Sequence, residues 1–424
     1  MRILILSPYP PYPPHGGGTM RIYQLVRGLA ERHAVTCLSF ARDAAAEQAL
    51  APLQRICRVV TVRGPLNRSM VRRAWTTLAS PLPDMALRNA APTYADILRA
   101  LLSTEHFDIV QAESIEMAGY LTTFQRSNAM LVLDQFNAEY VLQKRAALTS
   151  LRAGLRPPRH PGDVRSNAVG IAGGAYSLAQ WRKLKRYEAL VMRRCDAVIA
   201  VAEEDRGTLL GLAPNATIGV VPNGVDTGYF SRAAMAGNRI GPLAFNTTTL
   251  VFSGTLDFRP NVDAVTWFVR EVLPRVRVRR PDVRLLLVGK RPASALRRLA
   301  DEGALLLTGE VPDVRPFLAG AAVYIVPMRI GGGVRLKLLE ALALELPVVS
   351  TSMGAEGVAG LNAGEHCLVA DDAPGFAAAT LRLLDDAALG GRLGAAGRAL
   401  ARQRYDWSVI VPRLEALYHH ILEA

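Results

Sequence analysis

The sequence has few cysteines and no clustered set of them. Cys37, Cys57, Cys195 and Cys367 stand far apart, at none of the spacings of a zinc site. Cys37 and Cys195 lie beside apolar, strand-like runs where buried thiols are expected, a pattern that argues against a secreted, disulfide-stapled protein. Long apolar runs are missing too. None reaches the ~20 residues that cross a bilayer, and Met1–Ser7 is too short for a signal-peptide core before it meets PYPPYPP. The expectation is a cytoplasmic protein. No GxGxxG follows a strand, so a dinucleotide fingerprint is unsupported. The acidic pairs Asp371-Asp372 and Asp385-Asp386 lack the surroundings of a Mg²⁺ site and read as solvated helix ends; no metal is expected. There is no low-complexity tract, and no repeat beyond two similar halves.

What is present is length, apolar material and positive charge. A chain of 424 residues, half of them hydrophobic, exceeds one usual core and implies two domains. The net charge of +13 invites nucleic acid, an anionic membrane or phosphorylated small molecules. The motifs below favour the last and leave no role for nucleic acid.

The most informative stretch is Pro327–Thr351, PMRIGGGVRLKLLEALALELPVVST. An apolar run, 322–326, reads as a buried strand. Gly331, Gly332 and Gly333 follow, and a helix then opens with Leu336, Leu339, Leu342 and Ala343 on one stripe. A strand, a glycine turn and a helix start form a phosphate-binding arrangement, because backbone N–H groups lie unpaired at the helix N-terminus. Arg335 and Lys337 fall in the first turn, where the helix dipole disfavours cations; an anion at the site accounts for them. Glu340, three residues after Lys337, shares its face and suits paired hydroxyls such as those of a ribose. An ordinary glycine turn before an amphipathic helix is the plain alternative.

This segment resembles the donor-site motif of the retaining glycosyltransferases of family four, which have the GT-B fold. The family commonly carries Glu-x7-Glu ahead of an apolar run ending in Pro-Val-Val. Here Glu340 matches the second glutamate and Pro347-Val348-Val349 follows, while Gly332 stands at the first. The resemblance implies that Glu340 holds the ribose and Lys337 sits near the pyrophosphate. It implies an α/β chain of two Rossmann-like, doubly wound parallel-sheet domains facing a central cleft.

The rest of the chain extends the match. Ile3–Leu6 reads as a strand, followed by a proline-rich loop, His15-Gly16-Gly17-Gly18 and a helix that Thr19 could cap. In the family this loop lies under the donor pyrophosphate and beside the acceptor, which assigns Gly17 and Gly18 to donor binding. Apolar runs at 35–39, 59–62, 107–110, 130–133, 197–201 and 218–221 read as further strands of a parallel sheet. Ligands in such sheets bind beyond the carboxyl ends of strands, where Glu113, Asp134 and Asn137 fall. The family often has histidine where this chain has Gln111 and Glu113, so a catalytic role passes to Glu113 by position rather than by residue type. Asn137 and Glu139 match a recurring Asn-x-Glu, and Asp134 and Asn137 are assigned to the acceptor side; helix capping is the alternative. Thr149–Ser177, crowded with glycine and proline, reads as a long irregular segment, and Trp181–Arg186 as a basic helix. Asn67–Leu78, with Met70, Val71 and Trp75 among Arg68, Arg72 and Arg73, suits a membrane interface. A solvated surface helix is the alternative.

Pro222-Asn223-Gly224-Val225-Asp226 matches the family's turn before the interdomain crossing. It sets the expected division: 1–230 for the acceptor, a linker at 231–247, 248–404 for the donor, and a last helix, 405–424, that returns to the first domain. In the second half, 250–252, 285–288 and 304–307 read as strands. After Gly254 the family usually has arginine and, five residues on, lysine; Thr255 and Pro260 stand there, and Arg259 could replace one of them. Val311, within Gly309–Val314, matches the segment that meets the base. The resemblance thus implies transfer of a hexosyl group from a nucleotide-diphosphate sugar, as co-substrate and with no cofactor, to an acceptor hydroxyl with retention. Lys337 and Arg335 would stabilise the leaving phosphate. A lipid-linked or polysaccharide acceptor and an anionic membrane surface are the expected partners, with the protein peripheral on the inner face of the plasma membrane. An epimerase on the same fold and a catalytically silent partner of a membrane-associated glycosyltransferase are the other readings.

Overall fold

The computed structural model describes the chain except for His15 and residues 66–67, 123–127, 156–160, 236–247 and 332–333. Two compact units are present: 1–221 together with 411–424, and 222–410.

The first unit is built on seven parallel strands: β1 (Arg2–Ser7), β2 (Ala34–Ala41), β3 (Arg58–Arg63), β4 (Ile109–Glu113), β5 (Met130–Asp134), β6 (Ala197–Ala200) and β7 (Ile218–Val220), in the order β3-β2-β1-β4-β5-β6-β7. β1 and β6 are largely apolar or small runs because helices cover both faces; β4 carries Gln111 and Glu113 among its apolar residues, and nearly every residue of the three strands is buried. The order turns back between β1 and β4, the place in such sheets where ligands collect at the carboxyl ends.

Four helices of this unit matter for the site. Helix α1 (Gly17–Ala30) starts within the expected glycine loop. Gly16, not Thr19, is its N-cap; Thr19 acts from the third helical position, its Oγ1 accepting from Gly16 N at 2.9 Å and donating to Gly16 O at 2.8 Å. Helix α2 (Met70–Ala79) is capped by Ser69. Helices α3 (Glu139–Gly154) and α4 (Pro161–Met192) occupy most of the stretch expected to be irregular. That reading of Thr149–Ser177 is overturned, and the reason is packing. A side chain on Gly170 would press on the Gly154 backbone, and one on Gly174 would collide with Leu151. These glycines permit two helix backbones to approach closely, which offsets their poor intrinsic helix propensity.

The second unit has six parallel strands: β8 (Thr249–Ser253), β9 (Arg284–Val288), β10 (Leu306–Leu307), β11 (Val323–Val326), β12 (Val348–Ser350) and β13 (Leu368–Val369), in the order β10-β9-β8-β11-β12-β13. Buried Ser253 and Tyr324 join β8 to β11 through hydroxyls 2.7 Å apart. Helix α5 (Arg259–Trp267) follows β8, and helix α6 (Leu336–Ala343) follows β11. The Pro222–Asp226 turn belongs to this unit rather than closing the first: Val225 N donates to Tyr405 O at 2.7 Å, and Thr227 binds Asp406. The last helix, α7 (Trp407–Glu423), runs from the second unit into the first, where Val411–Ala424 packs. The expected linker lies mostly at 236–247, outside the described residues.

Candidate functional site

In the second unit, β11 delivers the chain to Gly331, whose φ of +139° is a conformation that favours glycine. A side chain there would also collide with the Arg335 guanidinium. Arg335 is the N-cap of α6 rather than part of its first turn, with φ −86° and ψ 99°. Gly332 and Gly333, assigned to donor binding, lie outside the described residues. Leu338, Leu339 and Leu342 of α6 are buried in the core, while Leu336, expected on that stripe, is half-buried.

Lys337 folds inward. Its Nζ donates to Asn261 Oδ1 at 2.9 Å and stands 3.9 Å from the centre of the Phe252 ring. Burial pushes its pKa down to about 7; the neighbouring Arg335 adds to the shift and Glu340 opposes it. Glu340 moves the other way, up to about 7, because burial disfavours its ionised form more than Lys337 favours it. The two cations therefore sit beside each other at a helix N-terminus, and Lys337 has a neutral amide and an aromatic face as contacts. A bound anion relieves each of these costs.

Gly254 forms the floor. Its φ is +147°, and a side chain on it would crowd Lys337 Nζ and Asn261 Nδ2. Asn261 ties the floor together by donating to Thr255 O at 2.8 Å. Sequence reasoning missed Asn261 and looked one and two residues earlier, to Pro260 and Arg259. Arg259 instead is exposed and lines a shallow surface pocket with Asp263, Trp267 and Arg329. Val311, assigned to donor binding, packs its side chain on the core. Beside it Asp313 accepts from Arg315, and the Arg315 guanidinium stacks 3.6 Å from the centre of the Tyr229 ring.

In the first unit, Gly18 is packed so closely that a side chain would collide with the Tyr9 hydroxyl and press on Phe136. Gly17 N–H lies in the first turn of α1. Asp134 is fully buried and engaged: Arg21 Nε and Nη2 donate to its two oxygens at 2.7 and 2.9 Å. Glu113, expected to be catalytic, is only 1% exposed. Gln111 Nε2 donates to it at 2.7 Å, and Tyr418 of α7 donates to Gln111 at 2.6 Å. Burial first and Asp134 second push the Glu113 pKa well above its ordinary value. The geometry makes Glu113 and Asp134 a buried brace and not surface groups. Asn137, half-buried, donates to Glu139 at 3.2 Å, and burial lifts Glu139 to about 7. Gln135, beside Asp134, is 1% exposed with neither amide atom bonded among the described residues.

Comparison with known proteins bears on both units. Residues 247–386 match the family model "Glycosyl transferases group 1". The phosphatidyl-myo-inositol mannosyltransferase of Mycolicibacterium smegmatis is 33% identical over 208 residues, covering 47% of this chain and 51% of that protein. The GDP-mannose-dependent monoacylated alpha-(1-6)-phosphatidylinositol monomannoside mannosyltransferase of Corynebacterium glutamicum is 30% identical over 209 residues, covering 46% and 54%. The chain thus spans about half the length of the curated relatives it matches. Sucrose-phosphate synthase from Thermosynechococcus elongatus shares the fold over 100% of both chains, with a TM-score of 0.72 at 17% identity. Anabaena Alr3699/HepE, solved in complex with UDP, shares it over 99% of this chain and 100% of the other, with a TM-score of 0.62 at 16% identity.

Proposed function

We propose, for a chain whose residues 247–386 belong to the glycosyl transferases group 1 and whose two parallel-sheet units make the GT-B fold, that it moves a hexosyl group from a nucleotide-diphosphate sugar to an acceptor hydroxyl. The observation that carries this reading is the half-buried Lys337, held on Asn261 and Phe252 beside Gly254 with Glu340 on the same helix. A cation placed there at such cost fits a diphosphate, and a carboxylate one turn on fits a ribose. Relatives that use GDP-mannose or bind UDP are consistent with a nucleotide sugar.

Retention is the stereochemistry proposed. The acceptor oxygen bonds to the anomeric carbon on the face the phosphate leaves, the carbon–phosphate oxygen bond breaks, and the acceptor proton passes to the departing phosphate oxygen. Lys337 and Arg335 stabilise the charge growing on that phosphate, the largest electrostatic need of the step. These two cations supply the charge that a metal gives elsewhere, so turnover should survive a chelator.

The acceptor proposed is a lipid-linked polyol, as the names of the mannosyltransferase relatives suggest, with the protein peripheral on an anionic membrane. Helix α2 supports this. Its polar side faces the protein: Gln180 donates to Thr77 at 3.1 Å, and Arg73 pairs with Asp84 at 3.1 Å. Its apolar residues face out, with Val71 80%, Trp75 68% and Leu78 86% exposed. Among the described residues no helix is long and apolar enough to cross a membrane.

The test is release of free nucleoside diphosphate from GDP- and UDP-hexoses, with and without a crude lipid fraction and with chelator. Lipid-stimulated release and a sugar-bearing lipid product are expected. Release without a glycosylated product would favour an epimerase or hydrolase, and no release with any donor would sink the transferase.

A further inference from the structure

A second cavity, of about 390 Å³, lies entirely in the first unit. Its walls follow the carboxyl ends of β1, β2 and β3, where doubly wound sheets receive ligands, and neither Asp134 nor Asn137 lines it. Tyr9 forms one wall, and its hydroxyl is the group that packs on Gly18 at the start of α1.

The charge of this cavity is unusual. Arg42, Arg68, Arg73 and Arg88 line it against two carboxylates, Asp84 and Glu116. Asp84 is shared by Arg68 and Arg73 at 2.8 and 3.1 Å, and Glu116 takes Arg88 at 2.8 Å. Arg42 is exposed and makes no ion pair among the described residues. The carboxylates therefore orient three guanidinium groups without neutralising the set, which keeps two surplus positive charges. Guanidinium forks match phosphate geometry, and a phosphate monoester carries about −1.5 to −2. Glu116, though bonded to Arg88 and to Asn89 at 3.0 Å, has lone pairs left for hydroxyl donors.

We propose that this arginine-lined cavity binds the phosphate of the acceptor, a phosphorylated polyol. The inference rests on the transferase reading for its meaning, but the site itself does not depend on it. Arg73 of helix α2 and Arg68, just before its Ser69 cap, reach the cavity, while the same helix presents Val71, Trp75 and Leu78 to the outside, so one segment serves a phosphate-bearing head and the apolar layer it hangs from. The phosphate could equally come from a soluble ester, and the experiment separates the two.

The full chain and Arg42→Ser are titrated with sn-glycerol 3-phosphate, with glycerol, and with phosphatidylcholine vesicles carrying or lacking phosphatidylglycerol. UDP and GDP binding are measured in parallel. A preference for glycerol 3-phosphate over glycerol, weakened roughly 10- to 150-fold by Arg42→Ser, is expected if phosphate is the determinant. Arg42-dependent binding only to phosphatidylglycerol vesicles would support the cavity with a lipid headgroup as its source. Binding indifferent to phosphate, or unchanged in Arg42→Ser, overturns the proposal. If that happens with nucleoside diphosphate binding intact, the transferase reading stands without the cavity; absent nucleotide binding in the wild type removes the reading beneath it.

Discussion

Lys337 holds its ammonium group against a neutral partner: Nζ donates to the side-chain oxygen of Asn261 at 2.9 Å. That choice keeps the positive charge available. Asn261→Ala removes the uncharged acceptor of Lys337 together with the bond to Thr255 O and should weaken nucleoside diphosphate binding about 2- to 10-fold. Asn261→Asp should weaken it more, because a carboxylate would compete with the phosphate for Lys337. Binding of the nucleoside alone should hardly change in either. Calorimetry on both variants decides; an Asp variant that binds diphosphate as well as wild type would show that Lys337 does not meet the phosphate.

Glu340 should carry the ribose preference. Glu340→Ala should weaken nucleoside and nucleoside diphosphate alike and erase the preference for ribonucleotide over the 2′-deoxy compound, since a site built to bond a hydroxyl rejects a ligand that lacks it. Retention of that preference in the variant would remove Glu340 from the ribose.

Affinity for diphosphate should depend on pH with a definite sign. Lys337 has its pKa pushed down to about 7, so its charge is present below that pH and lost above it. Glu340, near 7 as well, is already mostly ionised at pH 8. A diphosphate bound at pH 8 must then return a proton to Lys337. Calorimetry in buffers of different ionisation heat should show uptake approaching one proton, falling to none in Lys337→Ala, with affinity weakening above pH 7. Proton release at pH 8 would contradict the assignment.

Asp134 should prove structural. Its ion pair with Arg21 is sealed, with side chains 0% and 1% exposed. Asp134→Asn removes the carboxylate charge from this sealed pair and should cost about 3–5 kcal/mol of stability, read as a lower urea midpoint. An unchanged midpoint would return Asp134 to the acceptor candidates.

Helix α2 should bind vesicles through its apolar side and not through all its arginines. Arg68 and Arg73 are committed to Asp84, and of the three arginines first considered Arg72 is the one left facing outward. Val71→Ser/Trp75→Ser/Leu78→Ser should weaken binding to anionic vesicles by at least about tenfold, given about 1.5–3 kcal/mol for each apolar side chain fully buried. Sedimentation with vesicles checks this, and equal pelleting of variant and wild type would refute it.

The sequence by itself determined the alternation of strands and helices, because continuous apolar runs with period-breaking turns are local signals. The nearness of Arg335, Lys337 and Glu340 was legible for the same reason: they lie within six consecutive residues. Only the tertiary structure decided their partners. Asn261 reaches Lys337 across 76 residues of chain, and Arg21 reaches Asp134 across 113. No spacing rule records such meetings. Burial likewise moved Glu113 from a candidate at a strand end into a closed network under Tyr418. Close contact between α3 and α4 made helix from a glycine-rich stretch whose local propensity argued otherwise. Desolvation and partner identity are set by what packs from afar, so a residue's type was legible in the chain while its charge state and its role were not.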